Sequence, residues 1–117
     1  MVSSGCIYLG PIPPLATNEP PVIDSFAYAD GEPIPIGEDG AWVFLIAHDE
    51  DGDEVYFDWS IQGQGFIGNA QPLPVEGGWG SQVSLEWDEQ LDGELLKCSI
   101  RDGQSESFDW EWPLEVL

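Results

Sequence analysis

Basic residues are almost missing from this chain: Lys97 and Arg101 stand against 23 Asp and Glu, for a formal charge of −21 over 117 residues. Phosphate backbones are bound by Lys and Arg that displace counterions, so this scarcity excludes nucleic acid as a partner and disfavours direct adsorption to anionic lipid. His48 is the only histidine. No nucleophile or second ligand stands at motif spacing from it, which argues against a catalytic triad or a zinc site. Cys6 and Cys98 are the only cysteines and have no framework spacing, so no disulfide is expected. No apolar run approaches the roughly 20 residues that cross a bilayer as a helix. No stretch longer than about ten residues keeps helical spacing without a breaker.

Apolar and aromatic residues are plentiful. A hydrophobic content of 42%, with six Trp, five Phe and three Tyr, supports one folded core. Fourteen Gly and ten Pro fall between short apolar runs and punctuate them as turns do in an all-β domain. Residues 1–21 differ, with Pro11, Pro13, Pro14, Pro20 and Pro21 and hardly any strand pattern. Such a segment prefers extended polyproline II and is expected to be a semi-rigid tether, leaving residues 22–117 as the domain. Within it, Val2-Ser3-Ser4-Gly5-Cys6 resembles the end of a bacterial lipoprotein signal, although Ser3 stands where such signals place Leu or Val. The resemblance implies lipidation at Cys6, which ties a domain to a membrane without spanning it. The alternative is an ordinary cysteine in a flexible tail.

From Val22 onward the alternation of apolar and polar residues reads as about seven short strands. Val22–Tyr28 is the first, ended by Asp30-Gly31-Glu32-Pro33, and Pro33 and Pro35 suit only an edge. Ala41–Ala47 is apolar on both parities, which places it centrally in a sheet. After an acidic turn, Val55, Phe57, Trp59 and Ile61 point inward with period two. Gln62–Gly80 is a Gly- and Pro-rich connection with short edge strands. Val83, Leu85 and Trp87 point inward next, then Leu96, Cys98 and Ile100. Asp102-Gly103 is a hairpin signal requiring positive φ, and Phe108, Trp110, Trp112, Leu114 and Val116 share the inner face of the last strand. These strands predict an all-β fold, a sandwich of two antiparallel sheets.

Ala47-His48-Asp49-Glu50-Asp51-Gly52-Asp53-Glu54-Val55-Tyr56-Phe57-Asp58-Trp59, with Cys98-Ser99-Ile100-Arg101-Asp102-Gly103, resembles the bacterial immunoglobulin-like modules of the polycystic-kidney-disease (PKD) and cadherin-like type. The resemblance covers roughly residues 20–117 and implies an immunoglobulin-like β-sandwich with Trp59 as the core tryptophan of its third strand. The family marks a fold more than a function, since its members serve as spacers, adhesins and carbohydrate-associated domains. One departure is that Phe44, Leu45 and Ile46 occupy the region where antibody-type domains carry the first cysteine of their intersheet disulfide. Cys98 is then expected to be a buried, inert hydrophobe.

Asp49, Asp51 and Asp53 crowd three carboxylates into five residues, and calcium is the natural cation to relieve their repulsion. Loop placement in the implied sandwich brings Asp102 to the same end, with Glu19 as a further neighbour. EF-hand spacing fails, because Glu54 and Ser60 stand where that loop needs Gly and Glu. The competing reading is an Asp-rich turn whose carboxylates accept backbone N–H groups and whose Gly52 takes positive φ. Lys97 and Arg101 are expected to make cross-strand pairs with Glu54, Asp58, Asp109 or Glu111. Trp79, within Gly77-Gly78-Trp79-Gly80, is the candidate ligand-binding aromatic, and Trp42 and Trp87 are the others least tied to the core.

No catalytic residue is assigned, because carboxylates are abundant but a sandwich this small has little room for a deep cleft. The expected role is a noncatalytic extracytoplasmic module in the bacterial periplasm or at the cell surface. It would be structural or protein-binding, with a membrane engaged only through a lipid anchor. Its rivals are a calcium-dependent adhesion or carbohydrate-binding module and a binder of a basic protein.

Overall fold

In a computed structural model of the chain, residues 20–62, 65–68, 72–103 and 107–117 are described. Among them β1 (Val22–Phe26), β2 (Ile34–Ile36), β3 (Ala41–His48), β4 (Tyr56–Ile61), β5 (Gly65–Gly68), β6 (Leu73–Val75), β7 (Gly78–Leu85), β8 (Leu95–Arg101) and β9 (Ser107–Val116) build two sheets. One sheet has the order β1-β3-β7-β6 and the other β2-β9-β8-β4-β5. The side-chain alternation explains the layering. Val43, Leu45 and Ala47 of β3 are buried, and so are Phe57, Trp59 and Ile61 of β4, Leu96, Cys98 and Ile100 of β8, and Trp112 and Leu114 of β9. Each set is one face of a pleated strand, and closing the two faces on each other removes both from water.

The tryptophans fix how the sheets meet. Trp59 and Trp112 stack with ring centroids 5.9 Å apart, and Trp110 meets both Trp112 and Phe26 edge-on. Trp59 belongs to the five-stranded sheet, and its Nε1–H crosses the sandwich to Ser81 Oγ on β7 at 2.9 Å. A buried indole N–H requires such an acceptor.

Several expectations need correction. The structure has nine strands among the described residues, and one pairing is parallel: Ile34–Ile36 runs alongside Leu114–Val116. The chain leaves the first sheet after Phe26 and resumes as β2 at the edge of the second. The intervening loop is clamped to β9 by Trp112 Nε1–H donating to the Tyr28 carbonyl at 3.0 Å and Gly31 N–H donating to the Glu111 carbonyl at 2.8 Å. Pro35 sits on this edge strand, where its missing N–H costs no ladder bond. Gly103 lacks the positive φ foreseen for it, because β8 and β9 are joined by a longer connection than a two-residue turn. Trp87 does not point inward, since β7 ends at Leu85 and the chain turns toward the 3-10 turn Glu89–Leu91. Residues 1–19 of the expected tether, Cys6 and Glu19 among them, lie outside the described residues, as do parts of the Gln62–Gly80 connection.

Candidate functional site at the aspartate turn

β3 and β4 are consecutive but belong to different sheets, so the chain must cross the end of the sandwich between His48 and Val55. The crossing begins as a tight turn closed by Gly52 N–H donating to the Asp49 carbonyl at 2.9 Å, with Gly52 at φ 85°. Asp49 Oδ1 accepts the backbone N–H of Asp51 at 2.7 Å and of Asp53 at 3.4 Å. The turn chemistry expected of an aspartate at this position is therefore present, and it uses one of the two carboxylate oxygens.

The other oxygen has a different fate. Asp49 is only 7% exposed, and its Oδ2 is buried without a hydrogen-bond donor. The end of β8 brings Asp102, 1% exposed, into hydrogen-bonding reach of the Asp49 carboxyl. Two ionised carboxylates have no proton between them, so that bond exists only when one of the pair is protonated. Burial raises the pKa of Asp49 above the usual carboxylate range, and the Asp102 contact adds to the rise. The N–H groups of Asp51 and Asp53 oppose it.

Side-chain ligand atoms of Asp49, Asp51 and Asp53 all fall within 4.8 Å of one another. Oxygen ligands about 2.3–2.6 Å from a calcium ion are at most about 5 Å apart, so these three fit one coordination sphere. Asp49 is buried, Asp53 half-buried and Asp51 exposed, which leaves one side open to water. The orphaned Asp49 Oδ2 is the atom whose burial a hard cation would compensate.

His48 supplies a feature that sequence reasoning missed. Its Nδ1 lies 2.7 Å from Asp24 Oδ2 and its Nε2 3.0 Å from Glu50 Oε2. Both ring nitrogens donate only in the imidazolium, so its pKa is raised, first by Asp24 and then by Glu50. Glu50 is a near neighbour in sequence. Asp24 arrives through the pairing of Val22 with His48 and a register shift between Ile23 and Ser25, which period-two reading does not reveal.

Trp79 is not a loop residue. It lies in β7, half-buried against the core, where a turn at Glu76-Gly77 starts the strand earlier than its glycines suggested. A Cβ at Gly78 would collide with the Ala47 carbonyl oxygen, so glycine here allows β7 to approach β3. Trp79 then shares a cavity of about 230 Å³ with His48, Asp49 and Asp53.

Lys97 and Arg101 face outward on β8, as their parity implies. Arg101 Nε donates to Asp58 Oδ2 at 3.1 Å and its guanidinium lies 4.7 Å from the Tyr56 ring centroid, while Lys97 Nζ is 4.0 Å from Asp109 Oδ2. Cys98 is a free, fully buried thiol, and burial pushes its pKa far up. Trp42 and Trp87 are the exposed tryptophans, at 62% and 45%.

No protein-family model matches the chain, and no curated protein matches it in sequence. Solved structures do resemble it. The N-terminal Ig1-2 module of the Drosophila receptor protein tyrosine phosphatase DLAR superposes with a TM-score of 0.56 at 17% identity, over 85% of this chain and 50% of that one. Titin domain M7 gives 0.53 at 16% identity, over 83% of this chain and 93% of titin M7. The ectodomain of mouse nectin-like molecule 4 gives 0.52 at 15% identity, over 85% and 34%. The chain thus spans half the DLAR module and nearly all of the titin domain. The two strand orders, the Trp59 position and these likenesses together give the chain an immunoglobulin-like β-sandwich fold.

Proposed function

We propose that this chain is a noncatalytic immunoglobulin-like module of the PKD or cadherin-like type, working outside the bacterial cytoplasm as a structural or protein-binding unit. The observation that carries this reading is the use of the chemistry-bearing side chains within the fold. Both His48 nitrogens are taken by carboxylates, Cys98 is buried, and Arg101 is held by Asp58 and Tyr56. The outer faces of both sheets remain as binding surfaces. Residues 1–21 would be the tether and Cys6 its lipidated anchor, supported by the Val2–Cys6 pattern and the prolines that follow. Intact-mass analysis of protein extracted from membranes of its source tests the anchor. A diacylglyceryl adduct at Cys6 is the expected result, and an unmodified Cys6 in a chain extending upstream of Met1 overturns it.

A second reading is favoured by the orphaned Asp49 Oδ2. Here the module binds calcium through Asp49, Asp51 and Asp53, with Asp102 beside them, and the ion stiffens the sandwich end for adhesion or glycan binding. Calcium raising the thermal midpoint of the native domain, and failing to do so in Asp51→Ala, would support it. An unchanged midpoint at millimolar calcium would sink it.

A further inference from the structure

We propose that the cleft between Trp42 and Trp87 receives a lysine or arginine side chain, presented by an extended basic segment of another protein. This rests on the protein-binding reading and names its surface. The cleft lies at the opposite end of β3 from the aspartate turn, away from where the chain enters at Val22 opposite His48. It encloses about 530 Å³ and is lined by both indoles and by Glu38, Asp39 and Glu86.

The backbone assembles these groups for a local reason. Gly40 has φ 81°, and a Cβ there would collide with the Leu85 carbonyl oxygen. Glycine therefore lets the Gly37–Gly40 turn press against the end of β7, which sets Glu38 and Asp39 beside Glu86. Trp87 is oriented by its Nε1–H, which donates to the Leu117 carbonyl at 3.1 Å. Two exposed indoles that line one cleft with Glu38, Asp39 and Glu86 match a cation with an apolar stem, attracted by the ring faces and by the negative charge. The chain offers no such cation itself. Its only Lys and Arg, Lys97 and Arg101, lie on β8 in the other sheet with Asp109 and Asp58.

The same face continues the recognition. Trp42, Phe44 and Ile46 alternate with the buried residues of β3 and form an outward row. Phe44 and Ile46 wall an apolar groove with Leu73 and Val75, floored by Gly80. Same-face positions on a strand recur every ~7 Å, so an extended segment with a cation followed by apolar residues at alternate positions matches the row. A second copy of this chain does not fit, because a formal charge of −21 repels its like and its only two basic side chains, Lys97 and Arg101, stand beside Asp109 and Asp58 on β8.

The test uses the amidated peptide Ac-Arg-Thr-Leu-Thr-Val-Thr and the intact chain, read by the indole N–H signals in NMR. Saturable shifts at Trp42 and Trp87 are expected, weakening at least severalfold between about 0.05 and about 0.5 M salt. They should be lost in Trp42→Ala and in the triple Glu38→Gln, Asp39→Asn, Glu86→Gln variant, whose thermal midpoints serve as folding controls. Equal shifts with citrulline replacing arginine, or stronger shifts with a neutral glucan oligosaccharide, overturn the proposal. Absence of shifts at both indoles overturns it too. Peptide-induced shifts confined to β8 and β9 overturn this cleft while leaving the protein-binding reading standing.

Discussion

Trp59 and Ser81 are joined across the sandwich by a 2.9 Å hydrogen bond from the indole Nε1–H to the hydroxyl oxygen, and both residues are buried. The bond is the polar tie between β4 in one sheet and β7 in the other. Ser81→Ala leaves a buried donor without an acceptor, which costs about 1–3 kcal/mol. Urea unfolding followed by tryptophan fluorescence should show that loss. Gln82→Ala, one residue on and solvent-facing, should stay within about 0.5 kcal/mol of the parent. Equal effects from the two would show that the tie contributes nothing.

The strands and their buried faces were legible in the sequence because period-two alternation is a local signal. Phe57, Trp59 and Ile61, or Leu96, Cys98 and Ile100, declare a face without knowledge of any partner. Partner-dependent features were not legible. The parallel pairing of β2 with β9 depends on Tyr28 and Gly31 binding a strand about 80 residues away, and the Asp24–His48 contact depends on a register shift. Asp102 was placed beside Asp49 only through an assumed topology, and the structure puts their carboxyls in contact. The two readings of the aspartate turn also divide in a way spacing alone does not show: Oδ1 of Asp49 serves the turn, whereas Oδ2 is left over.

That leftover oxygen gives Asp49 a measurable signature. A carboxyl whose pKa is raised by folding favours the fold in its protonated form. Its stabilising contribution is full below the unfolded value of 3.8 and is lost as pH rises through the raised folded value. At neutral pH the ionised Asp49 therefore favours the fold less than its protonated form does. Asp49→Asn keeps an oxygen for the Asp51 N–H and offers an amide donor toward Asp102, so it should raise stability at pH 7 by about 1 kcal/mol. It should also abolish any response of the thermal midpoint to calcium. A variant less stable than the parent at pH 7, in metal-free buffer, would contradict this account.

His48 titrates with the same sign at higher pH. Its pKa is raised by Asp24 and Glu50, so the stabilisation from this triad is complete below the unfolded value of 6.5 and fades as pH rises through the folded value. The groups are partly exposed, and each pair contributes at most about 1 kcal/mol. An NMR titration of the imidazole should give a midpoint above that of a free histidine. Asp24→Asn should lower it more than Glu50→Gln, because Asp24 is the larger cause. The reverse order would assign the shift to the turn rather than to the β1–β3 pairing.

Gly40 and Gly52 both have positive φ, yet their surroundings differ. A side chain at Gly52 meets nothing within 4 Å, whereas one at Gly40 runs into the Leu85 carbonyl. Gly52→Ala should therefore cost only the left-handed backbone penalty of about 1–2 kcal/mol. Gly40→Ala adds a backbone collision that no rotamer change relieves, since the obstacle is main chain. It should cost more than Gly52→Ala, and displacement of the Gly37–Gly40 turn should move Glu38 and Asp39 away from Glu86. Thermal midpoints rank the two variants, and the indole N–H shifts of Trp42 and Trp87 report whether the cleft has opened. If Gly52→Ala proved the more damaging, or Gly40→Ala left both indole signals in place, the close approach of this turn to β7 would not be what assembles the cleft.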